Sequence, residues 1–205
     1  MICIVDYGTG NLGSIRNMIK RIGYQSTITS DPNVLSNASK IILPGVGSFD
    51  YGMNNLSKYN LIEILNHKVQ NEKVPILGIC LGFQLMTMKS DEGKLNGLGW
   101  FNAETILFNF SSHKKKLILP HMGWNKVKII NNSLLTNGLN EKSKFYFVHK
   151  YHIQSFEKND IILNSNYGYE FVCSMSKENI MGVQFHPEKS HKWGMILFEN
   201  FLKKY

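Results

Sequence analysis

Val74-Pro75-Ile76-Leu77-Gly78-Ile79-Cys80-Leu81-Gly82-Phe83-Gln84 sets a cysteine between two glycines, directly after an apolar run and before a helix-like stretch. The spacing predicts a strand over 74–79 and a helix from Leu81 to about Lys89, with Cys80 on the turn between them. Side chains at the flanking positions of so tight an elbow would collide with neighbouring backbone, which is why both are glycine. The thiol is then expected to be exposed at the sheet's edge. The unpaired N–H groups at the helix start point at the sulfur, which favours negative charge there and leaves the Leu81 N–H as a donor for an oxyanion. More than a hundred residues downstream, His186-Pro187-Glu188 follows another apolar run. Two apart in an extended segment, His186 and Glu188 project to the same side, so the carboxylate can hold the imidazole in register. Cys80, His186 and Glu188 together read as a triad for nucleophilic catalysis.

Outward from the elbow, short apolar runs alternate with amphipathic stretches: Ile2–Val5, then Ile15, Met18, Ile19 and Ile22 at helical spacing, then Tyr24–Thr29 and Ile41–Leu43, then a stripe of Leu61, Ile64, Leu65 and Val69. This βαβ rhythm predicts an α/β fold, a mainly parallel sheet with helices on both faces. From about Leu117 the runs shorten to Val127–Ile130, Phe145–Val148, Ile161–Leu163, Phe171–Met175 and Ile180–Phe185. These are expected to add antiparallel strands. A final helix carries Trp193, Ile196, Leu197 and Phe201 on one face. No linker, repeat or low-complexity segment interrupts the chain, and 205 residues fit one domain, 1–205.

The formal charge of +8, with a pI near 9.3, raises the question of a nucleic-acid partner. The charge is nearly all lysine, with Arg16 and Arg21 as the only arginines, and base and phosphate forks favour arginine, so nucleic acid is not expected. The run Lys114-Lys115-Lys116 after Ser111-Ser112-His113 reads as a solvated loop. The N-terminus has no basic n-region and too short an apolar run for a signal peptide, and no stretch reaches membrane-spanning length, so the chain is expected in the cytoplasm, off the membrane. Three widely spaced cysteines without a CxxC pair point to neither a disulfide framework nor a metal site. Cys3 and Cys173 read as core thiols.

Other motifs carry competing readings. Gly8-Thr9-Gly10-Asn11-Leu12-Gly13 follows a strand, opens a helix and has Asp31 beyond it, a dinucleotide fingerprint if taken alone. Asp6 would repel a pyrophosphate there, and glycines making a tight strand-to-helix turn explain the pattern equally well. Pro44-Gly45-Val46-Gly47 turns sharply at the edge where Cys80 emerges and is a candidate for the second oxyanion donor, or an ordinary turn. His121, His149 and His152 lie near strand ends as core or lining residues, while His67, His113 and His191 look like surface positions. Trp124 follows Pro120 and is expected in a loop.

With these residues assembled, the chain resembles the class I (triad) glutamine amidotransferases, whose signature reads here Gly78-Ile79-Cys80-Leu81-Gly82-Phe83-Gln84 plus His186-Pro187-Glu188. Within them, Asp6-Tyr7-Gly8-x-Gly10-Asn11, Pro44-Gly45-Val46-Gly47-x-Phe49, His121-Met122-Gly123-Trp124-Asn125 and Lys189 are similar to the glutaminase-subunit family of imidazole glycerol phosphate synthase. The resemblance runs from end to end. It implies the flavodoxin-like amidotransferase fold, a mixed, mostly parallel central sheet flanked by helices, and hydrolysis of glutamine to glutamate and ammonia with neither metal nor cofactor. The ammonia passes to a (β/α)8-barrel cyclase/synthase subunit in a heterodimer. That partner forms imidazole glycerol phosphate for histidine synthesis and an aminoimidazole carboxamide ribonucleotide for purine recycling. By carry-over, Gly47, Leu81, Gln84, Glu92, Lys150 and Tyr151 hold the glutamine, and Asn11, Trp124 and Lys189 face the partner. Lys150 departs from the usual Ser or Thr in Val-His-x-Tyr, at a position where the contact is expected from backbone. Relatives also serve synthase-like partners that aminate sugars of surface glycans, and a non-catalytic docking subunit would keep the same fold.

Overall fold

A computed structural model describes residues 1–111 and 117–205; His113 and the Lys114-Lys115-Lys116 run lie outside the described residues. The described chain runs β1 (Ile2–Val5), α1 (Leu12–Arg21), β2 (Ser26–Thr29), α2 (Pro32–Leu35), β3 (Lys40–Gly45), α3 (Phe49–Lys58), α4 (Leu61–Asn66), a π-helical turn (His67–Asn71), β4 (Ile76–Cys80) and α5 (Leu81–Leu85). It continues through β5 (Ala103–Leu107), β6 (His121–Ile129), β7 (Lys144–His149), β8 (Tyr151–Ser155), β9 (Ile161–Tyr167), β10 (Tyr169–Lys177), β11 (Ile180–Val183), a short 3-10 turn (Pro187–Lys189) and α6 (His191–Lys204).

One sheet orders the strands β2-β1-β3-β4-β11-β10-β9-β6-β7, with β8 joined to β10 and β5 to β8. From β2 to β11 the neighbours are parallel, and from β11 onward they are antiparallel. Strands β1, β4 and β11 are buried at every residue, because helices cover both faces. The alternation of a strand still sorts the side chains. Ile2, Ile4, Leu77 and Ile79 pack with Ile15 and Ile19 of α1 and Leu197 and Phe201 of α6, whereas Cys3, Val5 and Ile76 pack with Phe49 and Leu56 of α3 and Leu61 and Leu65 of α4. Among the described residues no helix is long and apolar enough to cross a membrane.

Several elements differ from the sequence expectation. Helix α5 stops at Leu85 instead of Lys89, because the Met88 N–H leaves the helical ladder and donates to Ala103 O at 2.9 Å. Strand β6 begins at His121, so Trp124 lies in a strand, opposite Tyr146 of β7, and not in a loop. Its side chains alternate between a buried face and an open one, and the open face carries Met122 and Trp124. Strands β5 and β8 form a further antiparallel pair, Ala103↔Ser155 through Leu107↔Tyr151, that the apolar runs did not announce.

Candidate active site

Cys80 ends β4 and opens α5 with φ +54° and ψ −110°, a conformation L residues rarely adopt. The elbow can exist only with glycine beside it: a Cβ on Gly82 would lie 1.8 Å from Leu43 O, and one on Gly78 2.7 Å from Met86 Cε. The strand register then brings the other site residues to it. Gly45 of β3 stands level with Cys80, and Val183 of β11 stands level with Ile79, so the chain leaving β11 passes the sulfur and delivers His186.

His186 Nδ1 lies 2.9 Å from Glu188 Oε1, with both side chains almost wholly buried. The segment is not extended as expected. Pro187–Lys189 is a 3-10 turn, closed by Ser190 Oγ donating to His186 O at 2.6 Å and Lys189 N–H donating to the same oxygen at 3.1 Å. The turn folds the carboxylate back onto the ring. With Nδ1–H given to Glu188, Nε2 is the basic nitrogen. Burial opposes a charged imidazole here, but the Cys80 sulfur and the Glu188 carboxylate outweigh it and push the His186 pKa up to about 10. The arrangement therefore accepts a proton at Nε2 as charge develops on sulfur.

Cys80 is 7% exposed, so the thiol is recessed instead of open at the sheet's edge. It forms the floor of a cavity of about 310 Å³ lined by Gly47, Leu81, Gln84, Glu92, Lys150 and Tyr151 together with His186. The structure thus brings all six expected substrate contacts around the sulfur, in a volume suited to an amino acid. Glu92 is aimed by Phe49 N–H, which donates to its Oε2 at 2.9 Å. The Lys150 side chain is exposed and its carbonyl accepts from Phe108 N–H at 3.2 Å, so the unusual lysine leaves the backbone path of the wall intact. His149 also lines the cavity: its Nδ1–H donates to Tyr151 O at 2.7 Å, which leaves its Nε2 to accept from His121 Nδ1–H at 2.9 Å. Burial lowers His149 to about 3 and His121 to about 4, so this neutral pair braces the wall.

In the Pro44–Gly47 loop, the candidate source of a second oxyanion donor, the Val46 N–H is already engaged. Val46 N–H donates to Thr9 Oγ1 at 3.0 Å, and the Thr9 hydroxyl donates to Val46 O, so one side chain clasps both ends of that peptide neighbourhood. The glycine-rich loop of the dinucleotide pattern is spent on this packing. Gly8 and Gly10 have φ of +81° and +105°, Gly8 N–H donates to Asp6 Oδ1 at 3.0 Å, and a Cβ on Gly10 would lie 3.2 Å from Pro44. Asn11 ends this loop as the half-buried residue before α1.

The family described as Glutamine amidotransferase class-I matches over residues 3–205. The chain belongs to the class-I glutamine amidotransferases. It is 55% identical over 204 residues to imidazole glycerol phosphate synthase subunit HisH 2 of Methanococcus maripaludis, covering 100% of both chains. It is 42% identical over 203 residues to the protein of the same description from Pseudomonas aeruginosa, covering 99% of each. Among solved structures, a glutamine amidotransferase superposes with a TM-score of 0.76 at 14% identity, covering 99% of this chain and 98% of that one. The glutaminase domain of Trypanosoma brucei CTPS, solved with bound acivicin, superposes with a TM-score of 0.68 at 16% identity, covering 100% and 94%. These two likenesses are of fold alone.

In this amidotransferase the sequence reading passed over Gln184 and Thr9. Gln184 lies two residues before His186, the same spacing that linked His186 to Glu188, so the signal was present. Thr9 carried no signal, since its partner Val46 is 37 positions away.

Trp124 is 43% exposed, lies flat on His191 at 5.4 Å with 5° between the rings, and has Lys144 Nζ 5.6 Å from its ring centre. Lys189 Nζ lies 5.7 Å from the ring of Tyr146, the residue opposite Trp124 in β7. Trp124 and Lys189 are therefore one cationic-aromatic surface.

Proposed function

We propose that this chain is the glutaminase subunit of an imidazole glycerol phosphate synthase, acting as one unit over residues 1–205 in the cytoplasm and feeding ammonia to a (β/α)8-barrel cyclase subunit in a heterodimer. The observation that carries the chemistry is the His186–Glu188 contact of 2.9 Å beside a sulfur in the cavity that Gln84, Glu92 and Tyr151 line. The relatives' description as HisH subunits supports the assignment to histidine synthesis.

Glutamine enters with its α-ammonium towards Glu92. The thiol proton of Cys80 passes to His186 Nε2 while sulfur adds to the side-chain amide carbon. The Leu81 N–H, first in α5 and without an acceptor inside the helix, meets the oxyanion. As the C–N bond breaks, His186 returns the proton to the leaving nitrogen and ammonia departs. Water, deprotonated by His186, then cleaves the thioester to glutamate, and the thiol regains its proton. Glu188 holds His186 in the required tautomer throughout. Co-purification identifies the synthase that this chain binds. Recovery of a glycan-pathway synthase in place of the histidine-pathway cyclase would overturn the pathway assignment.

The Thr9 clasp makes the isolated subunit a poor glutaminase, because the Val46 N–H must leave Thr9 before it can serve an oxyanion. Thr9→Val keeps the shape and removes the hydroxyl. Partner-free turnover is expected to rise about three- to tenfold, the worth of one hydrogen bond, and the stimulation by partner to shrink by the same factor. Unchanged basal turnover would show that the clasp gates nothing.

Trp124 supplies the anchor for docking. Trp124→Ala is expected to weaken association by about 2 kcal/mol or more, read as the dissociation constant from calorimetry. The half-open ring contributes little to the core, so the thermal midpoint of the free subunit should stay within a few degrees. A variant that fails to fold, or binds as tightly as before, would place Trp124 in the core instead.

A further inference from the structure

Gln184 follows β11 directly and is fully buried. The pairing of Val183 with Ile79 sets it beside Cys80, on the side opposite Gly45. The direction of its carboxamide is forced by a chain of hydrogen bonds that starts at a group unable to donate. The Tyr151 carbonyl lies 3.4 Å from the Gln84 carboxamide, so the atom Gln84 turns to it is Nε2. That same Nε2 lies 3.1 Å from Gln184, whose facing atom must accept and is therefore Oε1. Gln184 Nε2 is left 3.7 Å from the Cys80 sulfur. The thiol's own proton has a separate acceptor, Val148 O at 4.0 Å, so the sulfur receives from Gln184.

We propose that Gln184 is a catalytic residue of the glutaminase reaction, whose Nε2–H fixes the Cys80 sulfur in its attacking position and meets the negative charge that appears when the thiol proton moves to His186. The proposal rests on Cys80 being the nucleophile. A donor to a charged acceptor is worth about twice a donor to a neutral one, so the contact tightens as sulfur ionises and favours that step over the resting thiol. The donor needs no reorientation, because Gln84 pins Oε1 and the amide cannot swing. A carboxamide in a site closed to water carries a desolvation cost that an apolar side chain of equal size would avoid, which sets Gln184 apart from mere filling. Gln84 also lines the substrate cavity, so one amide-to-amide bond connects the wall that holds glutamine to the group that attacks it.

The test compares the full-length chain with Gln184→Met, which keeps the volume and removes both amide groups, and Gln184→Glu, which keeps the shape and puts an oxygen against the sulfur. Each is treated with iodoacetamide, a neutral electrophile that needs no amino-acid contacts, and alkylation of each cysteine is followed by peptide mass spectrometry. Cys3 and Cys173 are buried in the core and serve as internal controls. In either variant that retains the thermal transition, the Cys80 rate constant is expected to fall about tenfold or more. In complex with the synthase subunit, kcat for glutamine is expected to fall by the same factor with KM unchanged. A Cys80 rate within about twofold of the parent chain overturns the proposal, as does a loss confined to KM, which would make Gln184 a support for Gln84 alone. A parent chain whose Cys80 reacts no faster than Cys3 and Cys173 would instead overturn the nucleophile assignment.

Discussion

Replacing Cys80 by alanine is expected to cut glutamine hydrolysis by about 10⁴-fold or more, while the complex continues to form product from added ammonium salts. The two halves of the result have different physical origins. Without sulfur no thioester can form, and His186 has no proton to take, so the rest of the site can only bind glutamine. If the synthase takes its nitrogen as free ammonia, as proposed, it needs no glutaminase to supply it, and the alanine leaves the cavity walls in place. The change should also be neutral or favourable for folding. Cys80 sits at φ +54° whatever its side chain, and the packing around Gly78 and Gly82 is untouched. Hydrolysis of glutamine by the Cys80→Ala chain at the parent rate would remove Cys80 from the mechanism. Loss of ammonium-dependent activity in the same complex would mean that the variant had damaged the docking face.

The elbow was legible because its demands are local. Glycines two positions either side of a cysteine, after an apolar run, leave few alternatives, and the 1.8 Å approach of Leu43 O to a Cβ on Gly82 is the collision that this spacing avoids. His186-Pro187-Glu188 was legible as a partnership though not as a shape: two residues of separation place the carboxylate near the ring in an extended chain and also in the 3-10 turn that forms. What could not be read depends on register between distant segments. His121 meets His149 only because β6 and β7 pair as they do, and Thr9 meets Val46 across 37 residues. Strand β6 was missed over His121–Lys126 because its open face gives no run of apolar residues, and Trp124 was placed in a loop for that reason. The pair β5 and β8 was hidden similarly, since β7 ends at His149 and β8 begins at Tyr151, with Lys150 alone between them and no turn signal to separate the strands. Helix α3 escaped because its stripe of Phe49, Met53 and Leu56 starts inside the Pro44–Gly47 turn's flank and is interrupted by Gly52, which presses against Leu85.

Glu188→Gln is expected to lower kcat by about 10³- to 10⁴-fold with KM little changed, the second large effect at this site. The side chains are nearly isosteric, and Glu188 lies behind His186 and does not line the cavity, so substrate binding should survive. The loss comes from the proton inventory of the ring. Glu188 Oε1 accepts Nδ1–H at 2.9 Å, and this contact keeps Nε2 free to take the thiol proton. A glutamine can turn its NH2 towards Nδ1, which forces the hydrogen onto Nε2 and leaves no base facing the sulfur. It can instead turn its oxygen towards Nδ1, which keeps the tautomer but withdraws the negative charge that, with the Cys80 sulfur, holds His186 up to about 10 against its burial. Either orientation weakens the same step. Titration of the His186 ring by NMR separates them: the first abolishes the Nδ1–H resonance, and the second retains it with a pKa lower than in the parent chain. A kcat within about tenfold of the parent would show that His186 acts without its carboxylate and that the triad is a pair.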